Sequence, residues 1–414
     1  MVAADCFSEL SYKITKNISK DEKQDNGIYF TPPKTVIRCI ELLAAGVATA
    51  TAPFNNILEP SCGSCEFIEK IKDCYPDATI TGVEYNKNIY ENIKDIYNNN
   101  ANIKIIEGDF LKIGFADAPK FDLIIGNPPY YVMKKANVEN EYYDYFDGRP
   151  NIFLLFIIKS LTLLTDDGVL CFILPKSFLN CLYYNKTRKY IYDNYSILSI
   201  LECDDKYIDT EQPTIIFIIR KNATANANAK YIIGHLQNEY TIFSTSEVIE
   251  RLNSLYVGAT TLNALECKVS VGNIVWNQHK AILTDDPQKT RLIYSQDIKN
   301  NTLSIKEYTN TAKKNYINKS GFNEPLLVVN RGYGVGTYNF EYSLINCNEP
   351  EGVKEYLIEN HLICIRCEAA AAVDKYIKIY KSFGEERTLE FIKLYFGNNA
   401  INTTELLNIL PIYI

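Results

Sequence analysis

The chain is predicted to be an α/β protein, with a doubly wound, mostly parallel sheet over residues 27–222 and a mixed α+β domain over residues 230–414. Three observations predict it. Strand-like and helix-like segments alternate through residues 27–222, the pattern of a parallel sheet covered on both faces. Three of the strand-like runs end in a carboxylate, and the carboxyl ends of strands are where open α/β sheets bind nucleosides. A fourth run, Phe121-Asp122-Leu123-Ile124-Ile125-Gly126, passes directly into Asn127-Pro128-Pro129-Tyr130.

The elements follow in order. Residues 1–26 are polar and lysine-containing and are expected to form a partly helical N-terminal extension. Ile57-Leu58-Glu59 reads as a strand ending in an acid. It leads into the small-residue turn Pro60-Ser61-Cys62-Gly63-Ser64-Cys65 and then a helix from about Phe67. Ser61 and Gly63 let a ligand approach the backbone closely. Thr79–Glu84 is a second strand, and Glu84 lies about twenty residues beyond the turn, the spacing of a ribose-hydroxyl acceptor. A third run, Ile103-Lys104-Ile105-Ile106-Glu107-Gly108-Asp109-Phe110, ends in Asp109. A carboxylate there can accept from an adenine amino group, with Phe110 against the ring. Each acid alone is a weak signal; three in order before Asn-Pro-Pro-Tyr are a strong one. A P-loop is excluded, because Gly-x4-Gly-Lys-Ser/Thr does not occur.

The Asn127–Tyr130 loop carries the chemistry. Two consecutive prolines fix φ and remove two backbone donors. Pro128 also drives Asn127 toward extended geometry. The loop is therefore stiff, and its acceptors point in fixed directions. An amino group on a planar ring has two hydrogens and a lone pair delocalised into the ring. The Asn127 side-chain oxygen can accept one hydrogen and the Pro128 carbonyl the other. Gripping both favours a more pyramidal nitrogen with its lone pair free to attack. Tyr130 offers a face for stacking, worth ~1–3 kcal/mol per base. No strong base is required, since the substituted nitrogen loses its proton afterwards.

Beyond this region, Asn151-Ile152-Phe153-Leu154-Leu155-Phe156-Ile157-Ile158-Lys159 reads as a core helix, too short to cross a bilayer. The N-terminus has no signal-peptide pattern. The 12 cysteines are accordingly read as free thiols in a reducing cytoplasm. The alanine-asparagine tract 222–229 reads as a linker. Residues 230–414 contain short strands at Val269–Gln278 and Arg291–Ser295. Leu326–Arg331 is a further strand running into a glycine-rich stretch, and a helix is expected over Val373–Lys381. The net charge is −7, unusual for a nucleic-acid binder, yet Lys268–Arg331 holds ten Lys/Arg against five Asp/Glu. A basic face on an acidic chain is compatible with DNA. His361, Cys364 and Cys367 have metal-ligand spacing, but Leu362–Ile365 reads as an apolar strand and no fourth ligand is evident, so no metal is assigned.

Taken together, these motifs resemble the γ-class DNA adenine-N6 methyltransferases of type II restriction-modification systems, with a TaqI-like C-terminal specificity domain. The resemblance covers residues 27–220 well and the remainder loosely. It implies a Rossmann-like S-adenosylmethionine-dependent methyltransferase sheet. In that family a Thr-Pro-Pro segment closes over the methionine end of the cofactor, here Tyr29-Phe30-Thr31-Pro32-Pro33-Lys34. The cofactor turn matches Glu59 to Gly63, the ribose acid Glu84, and the adenine acid Asp109 with Phe110. The catalytic tetrapeptide matches Asn127, Pro128, Pro129 and Tyr130. A second aromatic that sandwiches the flipped base matches Tyr207, and Lys280 and Arg331 are candidate DNA contacts. The turn departs from the family at its second glycine, which is Cys65 here and a poor fit if that position needs φ > 0. The resemblance further implies double-stranded DNA as partner, a cognate endonuclease in the same system, a cytoplasmic monomer and no membrane. Two rivals share parts of the pattern. Methyltransferases of protein glutamine or ribosomal guanine use the same loop, but the glutamine-modifying ones carry their extra domain before the cofactor turn. A non-catalytic DNA-recognition protein would not need Glu84, Asp109 and Asn127–Tyr130 intact.

Overall fold

The apolar runs of the first half form a seven-stranded sheet in the order β3-β2-β1-β4-β5-β7-β6. The strands are β1 (Asn56–Glu59), β2 (Thr79–Glu84), β3 (Ile103–Glu107), β4 (Phe121–Gly126), β5 (Leu164–Pro175), β6 (Tyr195–Cys203) and β7 (Thr214–Lys221). This computed structural model describes residues 7–47, 54–115, 119–205, 207–222, 228–233, 240–304, 306, 308, 310–331, 339–346, 354–368, 372–396 and 400–414. Two stretches read from the sequence, most of the alanine-asparagine tract and the glycine-rich stretch after Arg331, lie outside the described residues.

The pairings β3-β2, β2-β1, β1-β4 and β4-β5 are parallel, and β7 runs antiparallel between β5 and β6. Strand order reverses between β1 and β4, which makes their carboxyl ends the topological switch point. Ile57 and Leu58 pack into cores on opposite faces of the sheet, as do Leu123 and Ile124. That is why these strands are continuously apolar instead of alternating. The helix α6 (Ile152–Leu163) is buried nearly all round, consistent with its unbroken apolar sequence.

The N-terminal residues do not stand apart. They form α1 (Glu9–Asn17), α2 (Lys20–Asn26) and α3 (Pro33–Val47). Ser8 caps α1 and Ser19 caps α2, each side chain accepting a backbone N–H inside the first turn. Gly27 ends α2 in the left-handed conformation, φ 63°, donating to the Lys23 carbonyl. Three further helices connect the strands: α4 (Glu66–Cys74), α5 (Lys87–Tyr97) and α7 (Asn185–Asn194).

The chain divides into two units, Met1–His235 with Glu239–Ile249, and Leu236–Asn238 with Glu250–Ile414. The first unit therefore runs past the boundary predicted at 222–230. The reason is packing: β8 (Ile232–Ile233) pairs with β9 (Ile242–Phe243), and Phe243 stacks on Phe217 of β7 at 5.9 Å. The helix α8 (Ser246–Tyr256) spans the division.

The second unit is mixed α+β. One four-stranded sheet has the order β10 (Lys268–Val271), β19 (Leu362–Arg366), β16 (Leu326–Asn330), β17 (Tyr342–Ile345). The other has the order β11 (Leu283–Thr284), β15 (Tyr316–Ile317), β12 (Thr290–Ile293), β18 (Tyr356–Ile358). A two-stranded ribbon joins β13 (Ile298–Lys299) to β14 (Thr302–Leu303). The helices α9 (Ala372–Phe383), α10 (Glu386–Tyr395) and α11 (Thr403–Asn408) complete it, α9 containing the predicted Val373–Lys381 stretch.

Candidate active site

The strand-end acids and the Asn-Pro-Pro-Tyr loop meet at the switch point around one cavity of about 160 Å³. Glu59, Glu84 and Asp109 line it from β1, β2 and the residues after β3, and Asn127 and Pro129 line it from beyond β4. Ser61, Gly63, Phe110, Tyr29 and Thr31 complete the predicted set at its wall.

Glu84 is buried, and its two oxygens accept the Gly63 N–H at 2.8 Å and the Asn86 N–H at 2.6 Å. Burial pushes its carboxyl up to about 7, and the backbone donors oppose that rise. Glu59 is buried as well. Desolvation and then the neighbouring Glu84 charge hold its carboxyl well above the usual range, and its Oε2 has no hydrogen-bond partner. Asp109 is half-buried; its Oδ1 accepts the Leu111 N–H at 3.0 Å and its Oδ2 lies 3.6 Å from Lys112 Nζ. Gly63 sits at φ 52°, and a Cβ there would press the Phe30 ring at 3.2 Å. Cys65, the departure from the family turn, has φ 66° and ψ 29°, so this position does need left-handed backbone.

The acceptor side differs. Asn127 Nδ2 donates to the Tyr29 carbonyl at 3.3 Å, which leaves Oδ1 as its acceptor. The Tyr130 hydroxyl lies 2.5 Å from that Oδ1 and 2.8 Å from the Ile173 carbonyl; with one proton it serves one of them at a time. Ser61 Oγ donates to the Asn127 carbonyl at 3.1 Å, joining the cofactor turn to the loop. Pro128, within the loop, is buried. Tyr130 packs edge-on against Phe153 at 6.0 Å and does not line the cavity. Tyr207 is buried, its hydroxyl 3.4 Å from Thr214 Oγ1. Burial and then the Tyr207 phenol push the Tyr130 phenol well up.

Lys280 and Arg331 are exposed in the second unit, far along the chain from these groups; Lys280 lies over the Trp276 ring at 5.6 Å. His361 pairs through Nδ1 with Glu359 at 2.6 Å, Cys364 is buried within β19, and Cys367 contacts Cys267. No cluster of three or more metal-ligand side chains occurs among the described residues. Nor is any described helix long and apolar enough to cross a membrane.

Several site residues carried no sequence signal. Asn26, Gly27 and Ile28 wall the cavity from the end of α2, and Tyr131 and Met133 from beyond the loop. A Cβ on Gly27 would meet the Tyr130 backbone nitrogen at 2.7 Å, so only glycine fits there. Lys159 of α6 lies over the Phe110 ring at 5.2 Å and donates to the Leu111 and Ile113 carbonyls, both at 2.9 Å. It fixes the Phe110 loop from behind. The lysine was visible as the polar end of an apolar helix, but its partners were not.

A parallel sheet with a switch-point cavity walled by strand-end acids, and an antiparallel β7 beside β5, defines a Rossmann-like S-adenosylmethionine-dependent methyltransferase. The family of Eco57I restriction-modification methylases matches residues 41–208. Over 405 residues the chain is 30% identical to the type II methyltransferase M.CvrRI of Paramecium bursaria Chlorella virus XZ-6E, covering 96% of each chain. It is 27% identical over 413 residues to the modification methylase CviBIII of Paramecium bursaria Chlorella virus NC1A, covering 98% of this chain and 99% of that one. The crystal structure of the type IIG restriction endonuclease BpuSI overlays on 98% of this chain and 60% of its own at a TM-score of 0.47 and 10% identity. The chain belongs to the type II methyltransferases, the methylases of restriction-modification systems.

Proposed function

We propose that this protein transfers a methyl group from S-adenosylmethionine to N6 of an adenine flipped out of double-stranded DNA. The observation that carries the reading is Asn127, which faces the cofactor cavity with its amide orientation fixed by Tyr29, so that Oδ1 is an aimed acceptor.

The residues fit the cofactor. Glu84 retains lone pairs for ribose hydroxyls while the Gly63 and Asn86 N–H groups hold it in place. Asp109 and Phe110 suit the adenine amino group and ring, and Tyr29, Thr31, Ser61 and Gly63 suit the methionine end. Glu59 lines the same cavity from the end of β1 and would face the methionine end as well. When bound, S-adenosylmethionine supplies an electrophilic methyl on a sulfonium.

The chain's own residues prepare the acceptor nitrogen. One N6 hydrogen goes to Asn127 Oδ1, replacing the Tyr130 hydroxyl, which keeps the Ile173 carbonyl as its partner. The other goes to the Pro128 carbonyl. The lone pair is then directed at the methyl, and Tyr130 and Tyr207 hold the base between them. Most of the rate comes from positioning and fixed dipoles. Extrahelical capture of the base follows from the depth of the site. The second unit, with its basic stretch, Lys280 and Arg331, is assigned TaqI-like target recognition. The same reading implies a cognate endonuclease and a cytoplasmic monomer.

Incubation with labelled methyl donor and DNA of varied sequence, followed by nucleoside analysis and methylation-sensitive sequencing, tests the reading. N6-methyladenine at one recurrent site is expected. Label in cytosine, or in protein or RNA alone, overturns it.

A further inference from the structure

We propose that Lys23 and Asp209 form a positioning clamp that ties the loop carrying Tyr207 to the wall of the cofactor cavity, so that one short helix sets both halves of the catalytic cleft. The inference rests on the assignment of Tyr207 to the flipped base made above.

Lys23 is the pivot. Its backbone carbonyl accepts the Gly27 N–H and, at 2.9 Å, the Ile28 N–H, fixing the residues that wall the cavity and abut Tyr130. Its side chain runs the other way, and Nζ reaches Asp209 Oδ2 at 2.8 Å. Only 10% of that lysine side chain is exposed, so solvent screens this pair far less than a surface pair. The same Oδ2 accepts from Thr15 Oγ1 of α1 at 2.9 Å. Two residues before Tyr207, Asp205 Oδ2 accepts from Thr35 Oγ1 of α3 at 2.6 Å. The Tyr207 loop is thus held on both sides of the tyrosine by α1, α2 and α3. In turn, α2 reaches the ribose-acid loop, where Asn86 Nδ2 donates to Glu22 Oε1 at 2.8 Å. Tyr29, at the cavity wall, lies close enough to Asp209 for that charge to raise its phenol further, after burial.

The loop's carboxylates are thus met by protein donors. The loop is polar, Asp209 is half-exposed, and a solvated surface loop would satisfy its own groups with water. Spending a buried lysine and two threonine hydroxyls on it makes sense if the aromatic it carries must sit at a fixed distance from the Asn127 loop. Lys23, Asp209, Thr15, Thr35 and Asp205 are positioning residues; none of them touches the reacting atoms.

The test uses the full chain and a duplex carrying 2-aminopurine at the target adenine, with the recognition sequence taken from the methylation mapping. Asp209→Asn and Thr15→Val are compared with the wild type and with Tyr207→Ala. For Asp209→Asn, the 2-aminopurine fluorescence rise and kcat/KM for DNA should fall roughly 10- to 100-fold, the scale of a misplaced reacting group. Cofactor Kd without DNA should stay within about twofold, and Lys23→Arg should retain the fluorescence response while Lys23→Met loses it. Thr15→Val should fall in the same direction by less, and it keeps the test alive if Asp209→Asn does not fold. The clamp is overturned if Tyr207→Ala lowers the fluorescence response while Asp209→Asn and Thr15→Val match the wild type. It is also overturned if those variants weaken cofactor and DNA alike. If Tyr207→Ala itself leaves fluorescence and methylation intact, the assignment of Tyr207 falls and the clamp falls with it.

Discussion

On the β1–β3 side of the cleft, Glu59, Glu84 and Asp109 line the cavity, and the turn that faces them is already wound. On the β4 side the acceptor is occupied: the Tyr130 hydroxyl sits at Asn127 Oδ1, and Tyr207 is buried. On the proposed reading, the cofactor half is a cavity lined by acids that keep lone pairs beyond their backbone donors, whereas the base half has its acceptor already paired. A preformed half binds by filling vacancies; a self-satisfied half binds by exchange, and exchange costs little only if the displaced group has somewhere to go. Tyr130 does, because the Ile173 carbonyl is 2.8 Å away. On the proposed reading, the order this favours is cofactor first and base second.

Asn127→Ala separates the two sides of the cleft most strongly. Methyl transfer should fall by roughly 10²- to 10³-fold or more, because the aimed acceptor is lost, while cofactor affinity stays near wild type. Single-turnover transfer and calorimetric cofactor binding on the same preparation read both. A parallel loss of cofactor binding would show that the two halves are not separable.

Glu84→Gln tests the other half. Losing a charged acceptor should weaken the cofactor about 10- to 100-fold. It should also remove a pH dependence. Folding raises the Glu84 pKa from 4.5 to about 7. Its stabilising contribution is therefore full below 4.5 and is lost as pH climbs through about 7. Ribose hydroxyls donate to the ionised form, so wild-type cofactor affinity should rise with pH up to about 7 and then level off. Calorimetry in buffers of different ionisation enthalpy should detect up to one proton released on binding at pH 6. A flat profile in the wild type would mean that Glu84 is already ionised in the free protein.

Tyr130 separates stacking from exchange. Tyr130→Ala loses the face, ~1–3 kcal/mol by stacking, so kcat/KM for DNA should drop about 5- to 150-fold. Tyr130→Phe keeps the face and frees Asn127 Oδ1, and should stay within about threefold of wild type. If Phe behaves like Ala, the hydroxyl does more than hold the site closed.

The asymmetry of the cleft also explains which residues are legible in the sequence. Glu59, Glu84 and Asp109 were legible because each ends an apolar run, and parallel topology brings such ends to one edge. Asn127–Tyr130 was legible because a strand into two prolines is rare. Gly27, Lys23 and Glu22 were not, since their partners Tyr130, Asp209 and Asn86 lie far along the chain, 186 residues away for Lys23–Asp209. A polar helix without a motif gives no hint of which loops it will pin. Tyr131 was hidden for another reason: it follows the motif directly, and only the fold shows that Tyr131, not Tyr130, lines the cavity. In the second unit the strands at Arg291, Leu326 and Leu362 were recognisable by their aliphatic runs, but base-reading residues depend on loops whose course no local pattern dictates.

The smallest effect concerns how the cofactor half is kept wound. Cys65 occupies left-handed backbone at φ 66° while fully buried, where glycine would be at ease. A β-carbon in that region costs roughly 1–2 kcal/mol. Simple replacement by glycine confounds relief of strain with loss of the buried thiol. Comparing Cys65→Gly with Cys65→Ala removes that confusion, because both lose the sulfur and only one loses the Cβ. Glycine should be more stable than alanine by about 1 kcal/mol in urea unfolding, with similar m-values. If alanine equals glycine, the turn rewinds freely around residue 65. The cofactor half would then be less preformed than its geometry indicates, and the contrast with the Asn127 side would narrow.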